Sequence, residues 1–342
     1  MTAENANFAT RVGSFPVISL SECVRRLAEI ERPLVLMHVR PDGDTVGSCA
    51  ALCRIFEKLG RRVYYACPDP IPDRLAFLTE GLTLAIDPIK KTPLVPLDAL
   101  TSITVDVPSI KQLGFIAELV KVELSIDHHA VSEPFAPNYT VGGASSAGEV
   151  LLTIADLLAK SCDIELDSAI ATSLYAAIAS DTGGFAYRSA TPTTYRHAAR
   201  LIELGAEHTD VCRRLFSSKP LEQLRAEAYI AESIRLAANG RISYALITNA
   251  DSERLGFSQG SFDDAISIVR SVAGAELAFT VREIEDGSFK VSLRSTDKNV
   301  AEIAKRHSGG GHALAAACTP MAKSAEEAAK IILAELSELL KI

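Results

Sequence analysis

The first half of the chain alternates short apolar runs with stretches of helical periodicity, and this alternation is the strongest constraint on its fold. Residues 33–39 are apolar enough for a buried strand, and residues 45–59 have the periodicity of a helix that ends at Gly60. Further strands are predicted at 62–67, 102–107 and 122–126, and further helices at 111–119, 149–160 and 167–180. Strands that alternate with helices predict an α/β fold with a mostly parallel sheet flanked by helices.

The second half of the chain begins with helical segments and continues with a mixed pattern. The predicted helices are 193–204, 209–216, 221–238 and a last one that Ser324 caps, and the predicted strands are 241–248, 275–284 and 289–294. Three consecutive glycines, Gly309 to Gly311, predict a loop. A chain of 342 residues fits two domains of about 150 residues each. We predict a first domain over 1–188, a helical linker over 189–221 and a smaller α/β domain over 222–342.

Composition and charge exclude several classes of protein. The chain is 48% hydrophobic, so it can bury a core, and it lacks the run of about 18–20 apolar residues that spans a membrane. Residues 1–11 lack the pattern of a signal peptide, so we expect a cytoplasmic protein without a membrane partner. A net charge of −8 argues against a protein that coats DNA or RNA, but it permits an enzyme that binds a small anion through cations. The seven cysteines include no Cys-x-x-Cys pair and predict buried thiols.

Aspartate and histidine side chains recur where the predicted strands and helices end. The segments that carry them are His38-Val39-Arg40-Pro41-Asp42-Gly43-Asp44, Asp106, Asp127-His128-His129 and Asp181. Each aspartate taken alone fits a helix cap or a turn, and Asp44 in particular fits the cap of the helix that follows it. Parallel strands, however, present their carboxyl ends at one edge of a sheet, which would bring these side chains together. A mixture of carboxylate and imidazole donors suits manganese, iron or zinc better than calcium.

These motifs resemble those of the DHH phosphoesterases, a family named after the triplet found here at Asp127-His128-His129. The resemblance extends into the second domain, where Leu293-Arg294-Ser295 and Gly309-Gly310-Gly311-His312 are similar to the DHH-associated C-terminal domain. Length and layout are closest to the branch of bifunctional oligoribonucleases and pAp phosphatases, the nanoRNases. The resemblance implies that residues 1–188 are the metal-binding catalytic domain and residues 222–342 the substrate-binding domain.

The resemblance also implies a site for two divalent metal ions, with Mn²⁺ as the expected metal and Mg²⁺, Co²⁺ or Fe²⁺ as alternatives. The ligands carried over are, for one ion, His38, Asp42 and Asp106 and, for the other, Asp44, Asp106, His128 and Asp181. Asp106 is therefore expected to bridge the two ions. His129 is expected to contact the scissile phosphate or to protonate the leaving oxygen, and Asp127 to orient a histidine.

In the C-terminal domain, the resemblance implies residues that hold the substrate. The expected contacts are Arg294, Ser295, Gly309, Gly310, Gly311 and His312. Glycines allow backbone N–H groups to approach a phosphate closely, and an arginine binds phosphate through a planar fork of donors. Taken alone, the glycine run also fits a flexible turn before a helix.

The function implied by the resemblance is hydrolysis of short oligoribonucleotides to nucleoside 5′-monophosphates and of 3′-phosphoadenosine 5′-phosphate (pAp) to AMP. The attacking group would be a hydroxide activated by the two metal ions. A linear or cyclic dinucleotide phosphodiesterase is the nearest alternative, and a non-catalytic DHH scaffold that binds nucleotides is an alternative from another class. A RecJ-type exonuclease is disfavoured because no basic track is visible, and a Rossmann dehydrogenase because no Gly-x-Gly-x-x-Gly turn follows the first strand. The resemblance leaves a homodimer open.

Overall fold

The computed structural model describes residues 15–130, 132–257, 262, 265–284 and 286–341. Residues 1–14, and with them the stretch in which we expect no signal peptide, lie outside these ranges. The chain divides into two compact units, the first ending at Ser218 and the second beginning at Lys219. Within the described ranges, no helix combines the length and the apolar character that crossing a bilayer requires.

The first unit is built on a parallel sheet. In chain order its strands are β1 (Pro33–Leu36), β2 (Tyr64–Ala66), β3 (Ile86–Asp87), β4 (Thr92–Pro93), β5 (Thr101–Val105), β6 (Val122–Asp127) and β7 (Asn138–Thr140). Strands β3 and β4 form a separate antiparallel pair, whereas the others form a five-stranded sheet in the order β2-β1-β5-β6-β7 with every neighbouring pair parallel. The inner strand β1 is buried along its whole length, because α-helices pack on one face of the sheet and a second apolar cluster, which includes Leu113 and Ile116, covers the other face. The predicted α/β fold with a parallel sheet is confirmed.

Seven α-helices belong to the described part of the first unit. They are α1 (Leu20–Glu29), α2 (Gly43–Lys58), α3 (Asp73–Ala76), α4 (Ala147–Cys162), α5 (Ser168–Asp181), α6 (Pro192–Glu203) and α7 (His208–Cys212). The predicted helix at 111–119 is instead a 3₁₀ segment, Ile110–Glu118, interrupted at Gly114, whose φ of 51° departs from helical geometry. Apolar side chains of α1, α2, α4 and α5 share one core with one face of the sheet.

Helices α2 and α5 pack very closely because α2 has glycine where the two helices meet. A Cβ atom on Gly47 would lie 2.6 Å from the carbonyl oxygen of Ser173 and 2.9 Å from the backbone nitrogen of Ala177. A Cβ atom on Gly43 would lie 2.5 Å from Ser180 Oγ. The end of α5 is therefore held against the beginning of α2, next to the carboxyl edge of the sheet.

The segment 189–221, for which the sequence predicts a helical linker, belongs to the first unit as far as Ser218. Helices α6 and α7 lie in it, and their side chains Leu201 and Val211 have no exposed surface. Both side chains join the core that contains α5. The linker prediction is therefore corrected: an amphipathic helix buries its apolar face against a neighbouring element, and here that element is α5.

Asp167 caps α5 and offers a test of local stability. Its Oδ1 accepts N–H bonds from Ala169 and Ile170 at 3.1 Å each, and its Oδ2 lies 2.6 Å from Lys58 Nζ. Partial burial favours the neutral acid, but the hydrogen bonds from Lys58 and from the helix N–H groups outweigh it and hold the pKa of Asp167 below its usual range. We expect Asp167→Ala to lower the free energy of unfolding by about 1 kcal/mol at neutral pH.

The effect of Asp167→Ala should depend on pH in a defined direction. Because the carboxyl of Asp167 titrates at lower pH in the folded than in the unfolded protein, its contribution is complete above the unfolded pKa. It is lost as the pH falls through the folded pKa. Urea unfolding of both proteins at neutral and at acidic pH measures this, and a difference that persisted undiminished in acid would contradict the assignment.

The second unit contains a six-stranded mixed sheet. Its strands are β8 (Arg235–Ala237), β9 (Ile242–Ile247), β10 (Leu277–Glu283), β11 (Phe289–Ser295), β12 (Gly310–His312) and β13 (Ala315–Cys318). Their order is β12-β13-β11-β10-β9-β8, and only β9 and β10 run parallel among these neighbours. The helices are α8 (Leu221–Ser233), α9 (Asn249–Leu255), α10 (Ala265–Val269), α11 (Ala301–Arg306) and α12 (Ala325–Leu339). A smaller C-terminal α/β unit is thus observed, as predicted.

Two sequence predictions for the second unit are wrong in detail. The helix predicted at 221–238 ends at Ser233 and is followed by β8. The loop predicted at the three glycines is largely the edge strand β12, which pairs with β13. Glycine is needed there because a Cβ atom on Gly311 would lie 2.6 Å from the carbonyl oxygen of Ala315, and because Gly311 has a φ of 138°.

All seven cysteines are free thiols. Five are buried, and two, Cys162 and Cys212, are partly exposed. Burial raises the pKa of Cys23 and of Cys67 to about 12, so these thiols stay protonated at neutral pH. The prediction of buried thiols is confirmed for these five.

Candidate metal centre

The predicted ligands meet at the carboxyl edge of the parallel sheet. They follow β1 (His38, Asp42, Asp44), β5 (Asp106) and β6 (His128), or end α5 (Asp181). Their donor atoms form two groups, each with atoms within 4.8 Å of one another: His38, Asp42 and Asp106, and Asp44, His128 and Asp181. A third group of the same compactness joins Asp106 and His128 with His129. His128 Nε2 also lies 3.4 Å from Asp106 Oδ1, which links the two groups. The structure therefore brings together all six side chains that the resemblance assigned to the ions.

Asp106 lies at the centre of this arrangement and is nearly fully buried, with 3% of its surface exposed. Its backbone is left-handed, with a φ of 60°, a strained conformation for a residue other than glycine that often marks a functional site. Its Oδ2 is 3.5 Å from His38 Nε2, whereas its Oδ1 has no hydrogen-bond partner among the described residues. A buried carboxylate oxygen without a partner fits a position that a cation would occupy.

Asp44 is buried and is held by the first turn of α4. Its Oδ2 accepts the N–H of Ala147 at 2.7 Å, and its Oδ1 accepts the N–H of Gly148 at 3.0 Å and the hydroxyl of Ser48 at 3.1 Å. Asp42, not Asp44, caps α2, since Asp42 Oδ1 accepts the N–H groups of Asp44 and Thr45. The cap interpretation of Asp44 is therefore wrong, and its carboxylate points to α4 and the ligand cluster.

The crowding of carboxylates shifts their pKa values. Burial, followed by the charges of Asp106 and Asp181, raises the pKa of Asp44 well above its usual range. Burial also raises the pKa of Asp181 to about 6. Carboxylates packed this closely are stable as anions only near positive charge, so the acidic cluster fits bound cations.

The two ligand histidines present the same ring nitrogen to the carboxylates. His38 Nδ1 lies 2.8 Å from the carbonyl oxygen of Val39, and His128 Nδ1 lies 3.2 Å from that of Ala144. A carbonyl only accepts hydrogen bonds, so we assign the proton to Nδ1, which leaves the Nε2 lone pair facing the cluster. Burial opposes protonation, but Asp106 outweighs it and raises the pKa of His38 to about 9 and of His128 to about 10. At neutral pH a cation would therefore have to displace a proton from Nε2 of each ring before it could use that lone pair.

His129 differs from these two histidines. Its Nδ1 lies 2.8 Å from Asp127 Oδ1, which also accepts the N–H of His128 at 2.8 Å. The hydrogen bond from His129 to Asp127 raises the pKa of His129. Asp127 thus orients the His129 ring through Nδ1. The same Nδ1 lies 3.6 Å from Asp106 Oδ1. Nε2 is therefore the ring nitrogen that His129 can present to a substrate or to an ion.

Some of the predicted substrate contacts of the second unit share one face of the sheet, whereas Ser295 stabilises a turn. Arg294 pairs with Ala315, and Ala315 pairs with His312, so Arg294 and His312 stand on the same face of the sheet. Gly310 belongs to the same face and, like His312, lies on the edge strand β12, whereas Gly309 precedes that strand. The Ser295 hydroxyl accepts the N–H groups of the two residues at 297 and 298 and so stabilises a turn.

Sequence reasoning missed the residues that orient the predicted metal ligand Asp44 by hydrogen bonds. Ser48 lies one helical turn after Asp44, and this spacing of four was a usable signal. Ala147 and Gly148 act through backbone N–H groups, so their side chains gave no sign of it. The Ser146-x-x-Glu149 pattern at the start of α4 is a capping signature that marks where those N–H groups would be.

Comparison with known proteins agrees with this architecture. The N-terminal domain of the DHH family matches residues 32–178, and the DHHA1 domain matches residues 240–341. The chain is 31% identical to the bifunctional oligoribonuclease and PAP phosphatase NrnA of Thermus thermophilus, over 95% of this chain and 97% of that protein. The chain belongs to the DHH family. The Bacillus subtilis protein of the same name is 25% identical over 94% of this chain and 98% of its own length.

A solved structure has the same fold as this chain. An exopolyphosphatase-related protein from Bacteroides fragilis matches with a TM-score of 0.82 at 22% identity, over 94% of this chain and 97% of that chain. The two-domain DHH and DHHA1 architecture expected from the sequence is thereby confirmed. Membership of the family also confirms the prediction that the chain is an enzyme of the phosphoesterase class.

Proposed function

We propose that this DHH protein hydrolyses short oligoribonucleotides to nucleoside 5′-monophosphates and pAp to AMP, using two divalent metal ions. The observation that carries the proposal is the pair of ligand groups that meet at Asp106. Relatives that align over nearly their whole length are named for these two activities, which supports the choice of substrates.

The ions would be held by the two ligand groups, His38, Asp42 and Asp106 for one and Asp44, Asp106, His128 and Asp181 for the other. Mn²⁺ is our choice because it accepts both carboxylate and imidazole donors, whereas Ca²⁺ prefers oxygen donors alone. When bound, such a pair of ions lowers the pKa of water and neutralises charge on a phosphoryl group. The chain supplies four carboxylates to this site, which accounts for part of its excess of acidic residues.

His129 is the proposed proton donor to the leaving oxygen. Its Nδ1 donates to Asp127 Oδ1, so Nε2 is the nitrogen left to face a substrate. Asp127 is 2% exposed and accepts two backbone N–H groups as well, so the ring of His129 is held in one orientation. A fixed donor of this kind typically contributes about 10²–10⁴-fold to a rate.

Arg294 and His312 are the proposed contacts for a second phosphate or for the end of the substrate. Both lie on the face of the second sheet opposite the apolar cluster that contains α11 and α12. Strand β12 is an edge strand whose outer N–H groups are not used by a neighbouring strand in the described sheet. A guanidinium fork, an imidazole and backbone N–H groups together suit a phosphate. The substrate proposed from this arrangement is short, since the acidic chain lacks a basic track for a long strand.

Removal of metal provides the test of the proposal. We expect the chelator-treated protein to be inactive on RNA dinucleotides and on pAp, and Mn²⁺ to restore release of AMP and other 5′-monophosphates, measured by chromatography. Longer RNA, single-stranded DNA and cyclic dinucleotides should be cut more slowly under the same conditions. Hydrolysis that survives chelation would contradict the proposal, and a faster rate on cyclic dinucleotides would favour the phosphodiesterase alternative.

A further inference from the structure

Glu149 is a buried carboxylate beside the metal centre that belongs to neither ligand group. It lies in the first turn of α4 and is 6% exposed. Its Oε2 accepts two hydrogen bonds from Ser145, one from the backbone N–H at 2.7 Å and one from the hydroxyl at 2.6 Å. These short bonds tie the carboxylate to the turn that precedes α4.

The turn that Glu149 binds also contacts two of the expected metal ligands, His128 and Asp44. The carbonyl of Ala144, the residue before Ser145, lies 3.2 Å from His128 Nδ1. The N–H of Ala147, two residues after Ser145, donates to Asp44 Oδ2 at 2.7 Å. A shift of this turn would therefore rotate the His128 ring and release one oxygen of Asp44 together.

Helix α6 holds Glu149 from the other side. The Thr194 hydroxyl donates to Glu149 Oε2 at 3.4 Å, and His197 Nδ1 approaches Glu149 Oε1 to 3.2 Å without the alignment of a hydrogen bond. Burial of a carboxylate is costly unless it is paired, and Glu149 is surrounded by donors on both sides. The hydrogen bonds from Ser145 and Thr194 fix the position of the Glu149 carboxylate, and Glu149 in turn fixes the turn that contains Ser145.

We propose that Glu149 is a positioning residue for the metal centre, which sets the orientation of His128 and Asp44 through the turn 144–146. The inference rests on the proposed metal site, because both residues belong to the group expected to hold the second ion. This positioning role differs from a purely structural role in its expected effect on metal affinity. Loss of a structural residue would weaken the binding of both ions or disrupt the whole fold, whereas the contacts of Glu149 lead to one ligand group alone.

The experiment compares Mn²⁺ binding to the full chain, Glu149→Ala and Asp156→Ala. Asp156 also joins α4 to α6, through an ion pair with Arg200, but it lies two turns further along α4 and does not contact the turn 144–146. Calorimetric titration gives the two affinities, and the spin-coupled signal in electron paramagnetic resonance reports whether both ions are present. We expect Glu149→Ala to weaken one of the two ions by about 10–100-fold and leave the other unchanged.

The control and the conservative variants sharpen this test. Asp156→Ala should bind both ions as the parent does, and Glu149→Gln should stay close to the parent because its amide oxygen can still accept both bonds from Ser145. If Glu149→Ala does not fold, Ser145→Ala replaces it, with a smaller loss expected at the same single ion. Equal loss at both ions, an unchanged affinity, or the same loss in Asp156→Ala would overturn the inference. A parent protein that binds no pair of ions would instead refute the proposed function.

Discussion

Replacement of Asp106 by asparagine is expected to abolish metal-dependent hydrolysis, with kcat reduced by at least about 10³-fold. Asp106 belongs to one ligand group and its Oδ1 lies 3.4 Å from His128 Nε2 of the other, and an asparagine offers one neutral oxygen in place of two charged ones. The asparagine could therefore no longer serve as the proposed bridge between two cations. Loss of several kcal/mol of transition-state stabilisation, the usual contribution of a metal ion, corresponds to about 10³-fold in rate.

This substitution should leave the fold intact, because asparagine tolerates the left-handed backbone that Asp106 adopts at a φ of 60°. Asp163→Asn is the matched control, since Asp163 is an exposed aspartate in the same conformation, with a φ of 53°, at the end of α4. We expect the control to retain parental kcat and metal binding. Steady-state rates on pAp, with circular dichroism for the fold, make the comparison. An Asp106→Asn protein that kept more than about a tenth of the parental rate would show that Asp106 is not the shared ligand.

The second large effect is expected at Gly47, where α2 meets α5. Gly47→Ala would place a Cβ atom 2.6 Å from the carbonyl oxygen of Ser173, a backbone atom that cannot rotate away. Overpacking of this kind costs about 1–3 kcal/mol, against a gain of about 1 kcal/mol from replacing glycine by alanine in a helix. We expect the upper end of the packing cost, because the new Cβ atom would clash with backbone and not with a side chain. The net loss in the free energy of unfolding is then about 2 kcal/mol.

The same substitution should also reduce activity. Moving α5 away from α2 would move Asp181 relative to Asp44, and a misplacement of about 1 Å can cost on the order of 10²-fold. Denaturant unfolding and kcat on pAp measure the two effects. Gly143→Ala is the control for stability, because a Cβ atom there would meet no other atom within 4 Å, and we expect its free energy of unfolding to be unchanged. An equally stable Gly47→Ala protein would mean that the two helices can separate without penalty.

Much of the first unit was predictable because its local and tertiary signals agree. The strands β1, β5 and β6 are short and rich in aliphatic and β-branched residues, and each is followed by an aspartate or a histidine at the sheet edge. The parallel topology then requires those residues to converge, so the positions of His38, Asp106 and His128 in one cluster followed from the sequence. Their roles as ligands remain a proposal that metal titration tests.

Other features could not be predicted because they depend on long-range packing. The three glycines at 309–311 carry no side-chain signal, and only the pairing with β13 places Gly310 and Gly311 in an edge strand and not in a loop. The helices α6 and α7 are amphipathic, a pattern that fits a solvated linker as well as a cover for α5. Asp44 accepts hydrogen bonds from backbone N–H groups of α4 that lie more than a hundred positions away in the sequence. Backbone groups are present at every residue, so the side chains of α4 give no signal of these bonds.

The buried thiols make local opening of the first unit measurable by chemical modification of native cysteines. Cys49 and Cys53 lie on α2 and, like Cys23 on α1, have no exposed surface. A thiol reagent can modify them only when the surrounding helix detaches, so the modification rate reports the free energy of that local opening. Cys49 lies within two residues of Gly47, on the helix that begins at the ligand cluster. Its modification rate therefore measures how often the structure next to the ligand cluster opens in the native protein.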